Sequence, residues 1–514
     1  MGHAHLASEE DAQVNFSYVT IQSSLRYPDR TAIVDWETKR TLCYSELEHG
    51  ISRVANHFAE KGYNKGDRVI LFLPNSIDFV IGYFALLRIG ATVITINPML
   101  KGEELSYIVR DVKAAGLIFY EEYREEIKKA LAGIPATVAE IAVSDEIGLL
   151  ELSTGQPQYC ELERVLNDDP VVIIYTSGTT GMPKGVMISS ENLLYMNQAC
   201  LDIYEYDEKD RVVGVLPFSH IFGQTALMTG VLSRAGSLLI QKRFYADTIM
   251  PMIDECKATV MTGVPTMYFH ILNHPDREGY NLSSLRLCVA GGAAMPLDIY
   301  HRVKQEIKVE VMLQYGLTES GLALSHRIGE MAEKPDSVGV PVNSLEAKVV
   351  NDEGDQLQAG EIGELLLKGP NIIKEYYRKP EETSAVIRGG WLHTGDLAYR
   401  DDDGYIYIVD RKKEMILRGG FNIYPREIEE VLYTHPKIAE AAVIGVPDPA
   451  KGEEVKAFVA PKPYEQITTE ELKEFCKSRI ANYKCPSYFE ILKELPKGST
   501  GKILKKALKV DTQS

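Results

Sequence analysis

Residues 175–186 read YTSGTTGMPKGV and follow the apolar run Val171, Val172, Ile173, Ile174. A buried strand that ends in small hydroxyl residues, glycines and one lysine has the makings of a polyanion cradle. Gly178 and Gly181 let backbone N–H groups approach phosphate oxygens. The hydroxyls of Thr176, Ser177, Thr179 and Thr180 donate, and Lys184 supplies charge. The spacing is neither a Walker A loop nor GxGxxG, because Pro183 precedes Lys184 and Gly185 follows it. A flexible linker is the plain alternative, but a β-branched run leading into Pro-Lys-Gly argues against it.

Five further segments hold groups that could act on such a ligand. Segment 314–320, QYGLTES, contributes the carboxylate of Glu319, and nucleoside triphosphates need a hard, oxygen-bound cation. Segment 290–296, AGGAAMP, has little side-chain bulk, so a flat base or an acyl chain can pack on its backbone. Segment 391–397, WLHTGDL, offers Asp396, a double acceptor suited to two ribose hydroxyls, and Arg411 lies downstream. Segment 216–223, LPFSHIFG, sets His220 among aromatics, where a core histidine is the plain reading. Segment 495–504, LPKGSTGKIL, carries Lys502 after Gly501 on a turn.

In this order the segments resemble the signature motifs of the adenylate-forming superfamily. That family comprises acyl- and aryl-CoA synthetases, luciferases and peptide-synthetase adenylation domains, and the resemblance runs from about Tyr27 to Leu508. It implies that the 175–186 loop grips the β- and γ-phosphates of ATP. Gln314, Tyr315 and Gly316 belong to the nucleotide site, with Tyr315 along adenine; Thr318 touches phosphate and Glu319 binds Mg²⁺. Gly292, Ala293 and Ala294 border the adenine and acyl pockets, Asp396 takes the ribose, and Arg411 takes ribose or phosphate. The catalytic set is Lys502, Thr318, Glu319 and His220: Lys502 bridges the substrate carboxylate and the α-phosphate, while His220 gates or orients the acyl group. Lys413 stands at the hinge position. Gly419, Gly420 and Phe421 match the loop that lines the thiol acceptor's channel, although Leu417 stands where many members carry Lys.

The resemblance implies an ATP-dependent acyl-CoA synthetase, with ATP, Mg²⁺ and coenzyme A as substrates and cofactors. Segment 216–223 lacks the Asp that amino-acid-activating members use to pair a substrate ammonium, and burying that ammonium unpaired is costly. An aryl-acid CoA ligase (4-coumarate- or benzoate-like) and an enzyme that loads a carrier protein stay open as alternatives. So do a luciferase-like oxygenase and a non-catalytic adenylate sensor. A medium- or long-chain fatty acid is favoured over a hydroxycinnamate- or benzoate-type acid.

Positioning these groups takes more than one domain, and 514 residues allow it. Residues 68–72 and 91–96 read as strands around a helix at 77–90, a βαβ rhythm that calls for a parallel sheet. A second round of strands reads from Val171 through 211–216, 237–241, 259–262 and 285–290, with 144–170 as a polar connection. Short strands and Gly turns over 347–410 read as a β subdomain. Helix signals at Pro425 and Thr468 open another unit. The expected fold is α/β: a large N-terminal domain, 1–410, of two α/β subdomains and a small β subdomain, then a small mobile α+β C-terminal domain, 411–514.

The net charge is −17, which argues against nucleic-acid binding through a general basic face. It is unevenly spread. Residues 411–514 carry 19 basic and 15 acidic side chains, net +4, against 37 and 58, net −21, in the rest. A basic lid over an acidic body suits phosphate ligands. Seven cysteines without CxxC spacing, and no signal pattern, predict a reduced cytoplasmic protein. The longest apolar run, near 79–87, is too short to span a bilayer, which leaves at most peripheral membrane contact. A monomer and a homodimer are both compatible with the sequence.

Overall fold

The computed structural model describes residues 15–134, 138–176, 183–329, 334–449, 451–498 and 501–510. Strands that are apolar on both faces need cover on both sides, which is the situation of parallel sheets. Arg68–Phe72 lies between Thr92–Thr95 and Gly116–Tyr120, with Ala139–Val143 beyond, all parallel. Pro170–Thr176 then pairs with Thr92–Thr95 and turns back as antiparallel Lys184–Ser189. The strand at Val171 thus completes the first sheet instead of opening the second. Hydrophobic patterning identifies a strand but not its neighbour.

Helix Ile77–Arg88 is buried along its whole length, and its Ser76 cap accepts from the Phe79 amide at 3.1 Å. Its terminal Arg88 is fully buried and bonded to Glu48, Ser17, Ser52 and Thr20. The 144–170 connection contains a helix, Leu149–Leu152, with Leu149 and Leu150 buried.

A second sheet runs parallel through Glu310–Leu317, Leu287–Ala290, Val260–Gly263, Arg211–Gly214, Ser237–Ile240 and Thr31–Asp35. Antiparallel strands extend it at both ends, among them Gly321–Ser325 and Thr41–Cys43. In open α/β sheets, ligands bind beyond the carboxyl ends of the strands. Segments 290–296 and 314–320 leave adjacent strands at that edge.

The third sheet is antiparallel and includes Glu346–Val350, Gly363–Lys368, Trp391–Arg400 and Ile406–Arg411. The chain leaves it at Arg411, makes a turn, and enters the last sheet at Ile416. There Gly452–Pro461 pairs with Ile438–Asp448 and, in parallel, with Tyr488–Ile491. Helices Pro425–Tyr433 and Thr469–Lys477 pack on this sheet through Ile428, Leu432, Leu472 and Cys476. Among the described residues, no helix is long and apolar enough to cross a membrane.

Candidate active site

Lys502 sits on a tight hairpin. Gly498 N–H donates to Lys502 O at 2.8 Å, and Leu504 N–H donates to Pro496 O at 2.7 Å. Residues 499 and 500 lie outside the described residues. Gly501 adopts φ +81°, and Thr266 of the large domain donates to its carbonyl at 3.3 Å. The hairpin thereby delivers the Lys502 side chain against Gly292. A Cβ at Gly292 would stand 2.8 Å from Lys502 Cε, and its φ of +79° independently calls for glycine. Ala293 and Ala294 beside it are exposed.

Lys502 and His220 both border one small cavity. Burial and the Lys502 charge hold the His220 pKa down to about 3, so the ring is neutral. Its Nδ1 accepts from the Phe222 amide at 3.2 Å, which puts the proton on Nε2. Burial, and after it Arg411, lower the Lys502 pKa to about 8, with Asp396 opposing. Gly316 and Gln314 lie in the wall of the same cavity. Thr318 is buried next to them.

Asp396 and Arg411 face each other across two paired strands, 3.2 Å apart. The Tyr315 hydroxyl donates to Asp396 at 2.5 Å, and burial raises the carboxyl's pKa against the pull of Arg411. One Asp396 oxygen is thus engaged by Tyr315 and the other by the Arg411 guanidinium.

Of the residues expected to meet phosphate, Thr176 and Lys184 are register partners. Ser177, Gly178, Thr179, Thr180 and Gly181, expected to cradle phosphate, lie outside the described residues. Lys184 Nζ stands 5.5 Å over the ring of Tyr376, and the Tyr376 hydroxyl donates to Glu319 Oε1 at 2.7 Å. Segment 371–377 straps these pieces together. Asn371 donates to Ser320 O, Ile373 N–H to Glu319 O, and Tyr377 N–H to Gly185 O at 2.7 Å. Sequence reasoning missed Tyr376, since nothing in the run EYYRKP marks it and its partner lies 57 positions away.

Glu319 presents its other oxygen free of Tyr376, and a single carboxylate completed by phosphate oxygens suits Mg²⁺. Among the described residues, no group of three or more His, Cys, Asp or Glu gathers as an all-protein metal cage. If Tyr376 orients Glu319, Tyr376→Phe weakens Mg²⁺-dependent binding of a non-hydrolysable ATP analogue by about tenfold. Calorimetry with and without Mg²⁺ checks this; metal-free binding should change little.

The expected acceptor-channel residues stand apart from this cleft. Gly419 (φ +57°) and Gly420 (φ +86°) form a two-residue turn between Arg418 and Phe421, and both φ values suit glycine. Arg418 braces the turn with bonds to Tyr483 O and Ser487 Oγ and an ion pair to Glu454 at 2.6 Å. Phe421 is exposed and stacks on Tyr483 at 4.7 Å. Lys413 lies in the 412–415 turn that joins the two domains, where the amides of residues 412, 414 and 415 make the hydrogen bonds.

A small domain that delivers one lysine against the glycine loop of a large α/β domain is the architecture of an adenylate-forming ligase. The chain belongs to the AMP-binding enzyme family: that family's model matches residues 22–377, and the AMP-binding enzyme C-terminal domain matches residues 427–502. It is 36% identical to a long-chain-fatty-acid–CoA ligase of Bacillus subtilis, over 95% of this chain and 93% of that one. An anthranilate CoA ligase solved with anthranoyl-AMP superposes with TM-score 0.92 at 28% identity, covering 99% and 100%. The o-succinylbenzoate CoA synthetase of Bacillus subtilis, solved with ATP and magnesium, gives 0.84 at 30%, covering 96% and 99%. The chain is an AMP-forming acyl-CoA ligase.

Proposed function

We propose that the cleft joins a carboxylic acid to ATP as an acyl-adenylate and then passes the acyl group to the thiol of CoA. The observation that carries this reading is Lys502, which comes from the small domain to lie against Gly292 and beside His220 in the large one. In the first step a carboxylate oxygen attacks the α-phosphorus, the bond to the β-phosphate oxygen breaks, and pyrophosphate leaves. Two anions must approach, so a positioned ammonium offsets their repulsion and stabilises the charge that builds on the α-phosphoryl oxygens. His220, neutral with its proton on Nε2, donates to the incoming carboxylate and orients it.

Asp396 holds the ribose and Tyr315 lies along the adenine. Thr176, Lys184 and Thr318 hold the phosphates. Glu319 would hold Mg²⁺, which when bound neutralises phosphate charge. In the second step the small domain turns about Lys413, withdraws Lys502, and presents the Gly419–Gly420 turn. The CoA sulfur attacks the acyl carbon, its proton passes to solvent, and AMP leaves.

The relatives act on a long-chain fatty acid, anthranilate and o-succinylbenzoate. This supports an acid with an apolar or aryl body as the substrate. Pyrophosphate release, screened over carboxylates of graded length and aromaticity, tests the reading. Comparing CoA with a carrier protein as acceptor then separates the two acyl-transfer alternatives. Failure of every acid to release pyrophosphate would overturn it.

A further inference from the structure

The cavity bordered by Lys502 and His220 extends between helix Ser190–Tyr204 and the π-helical segment Gly223–Thr229. Its wall carries a row of polar side chains, Cys200, Tyr204, Thr225 and Gln314. Cys200 and Tyr204 are one helical turn apart and face the same side. Thr225 on the facing segment donates to Ile221 O at 2.9 Å. The Tyr204 hydroxyl donates to Gln314 Oε1 at 2.5 Å. All four residues are buried, with Gln314 the most accessible at 9%. Thr225 and Tyr204 thus have partners within the protein, and the Gln314 amide is the group of this row left to meet a ligand.

The row has a direction. With Oε1 engaged by Tyr204, the Gln314 amide nitrogen is left as a donor. It points toward Gly291, where an added Cβ would stand 3.1 Å from Nε2. Gly291 begins the glycine pair that continues to Gly292 and Lys502. Gln314 and Lys502 line the same tight space, about 40 Å³, together with Gly292.

We propose that this row reads an oxygen on the acyl part of the acid. Gln314 is the specificity-determining donor, in place of the nucleotide contact that the motif resemblance implies, and Tyr204 orients it. The preferred substrate then carries a hydroxyl, ether or carbonyl oxygen beyond its carboxylate, on either an aliphatic chain or an aromatic ring. The inference rests on the adenylation reading above. A site built to hydrogen-bond a substrate oxygen rejects the analogue that lacks it far more strongly than an apolar pocket rejects a size mismatch.

The test measures kcat/KM for pyrophosphate release over matched pairs: octanoate against hydroxy- and oxo-octanoates, and cinnamate against hydroxy- and methoxycinnamates. The expected result is a preference of about tenfold or more for the oxygenated member of one series, which identifies its source. Gln314→Leu and Tyr204→Phe should each collapse that ratio toward one. The double variant replaces both partners of the hydrogen bond with apolar groups, a change that stability tolerates better than losing one partner. Equal turnover within every pair, or a preference that survives in the double variant, would overturn the proposal and leave the adenylation reading standing. No pyrophosphate with any acid would overturn both.

Discussion

Lys502→Ala lowers acyl-adenylate formation by about 10²- to 10³-fold, the usual cost of removing one preorganised group from a charge-building transition state. It leaves conversion of a supplied acyl-adenylate and CoA to the thioester near the wild-type rate. The asymmetry follows from position: Lys502 lies against Gly292 in the arrangement described, while the Gly419–Gly420 turn is outside that cleft. Equal loss in both half-reactions would remove the two-state assignment. A pH signature accompanies it. Burial and Arg411 hold the Lys502 pKa at about 8, below the usual lysine value. The ammonium is therefore lost as pH rises through about 8, and kcat/KM for adenylation should fall on that side. Lys502→Arg keeps its charge and should abolish this alkaline limb, whatever its residual rate.

Lys413→Pro has the opposite profile. Proline at 413 removes none of the turn's backbone hydrogen bonds, which come from the amides of residues 412, 414 and 415. Adenylation, which uses the conformation described, should be retained. Fixing φ at that position obstructs the rotation that replaces one face of the small domain with the other. Thioester formation should fall by about 100-fold, the scale of losing reactant alignment. Separate single-turnover measurements of the two halves check this. A variant that completes both halves normally would move the hinge elsewhere.

The sequence exposed the strongly patterned parts of this architecture. The apolar strands at 68–72 and 92–95, the helix from Ile77 and the cap at Thr468 all appear, and Thr468 accepts from the Glu471 amide at 3.1 Å. The Glu471 carboxylate turns instead to Lys437 at 2.9 Å, since a tertiary ion pair competes with the local cap. Strand Trp391–Arg400 was not legible because its sequence mixes polar residues on both faces, Asp396 among them. Sheet order was also hidden, as Val171 shows by joining the first sheet.

For the site, motif order pointed to Lys502, Asp396, Glu319 and His220, the groups to which the proposed function gives direct roles. The residues that hold them were invisible. Tyr376 and Tyr204 are single aromatics whose partners, Glu319 and Gln314, lie 57 and 110 positions away. Only folding shows that one bonds a carboxylate and the other an amide.

The most direct measurement mixes the protein with ATP, Mg²⁺ and an accepted acid in the absence of CoA. The account predicts one equivalent of pyrophosphate per active site, with an acyl-adenylate retained, and its conversion to thioester and AMP when CoA is added. Release of ADP and phosphate, or no pyrophosphate until CoA arrives, would contradict it.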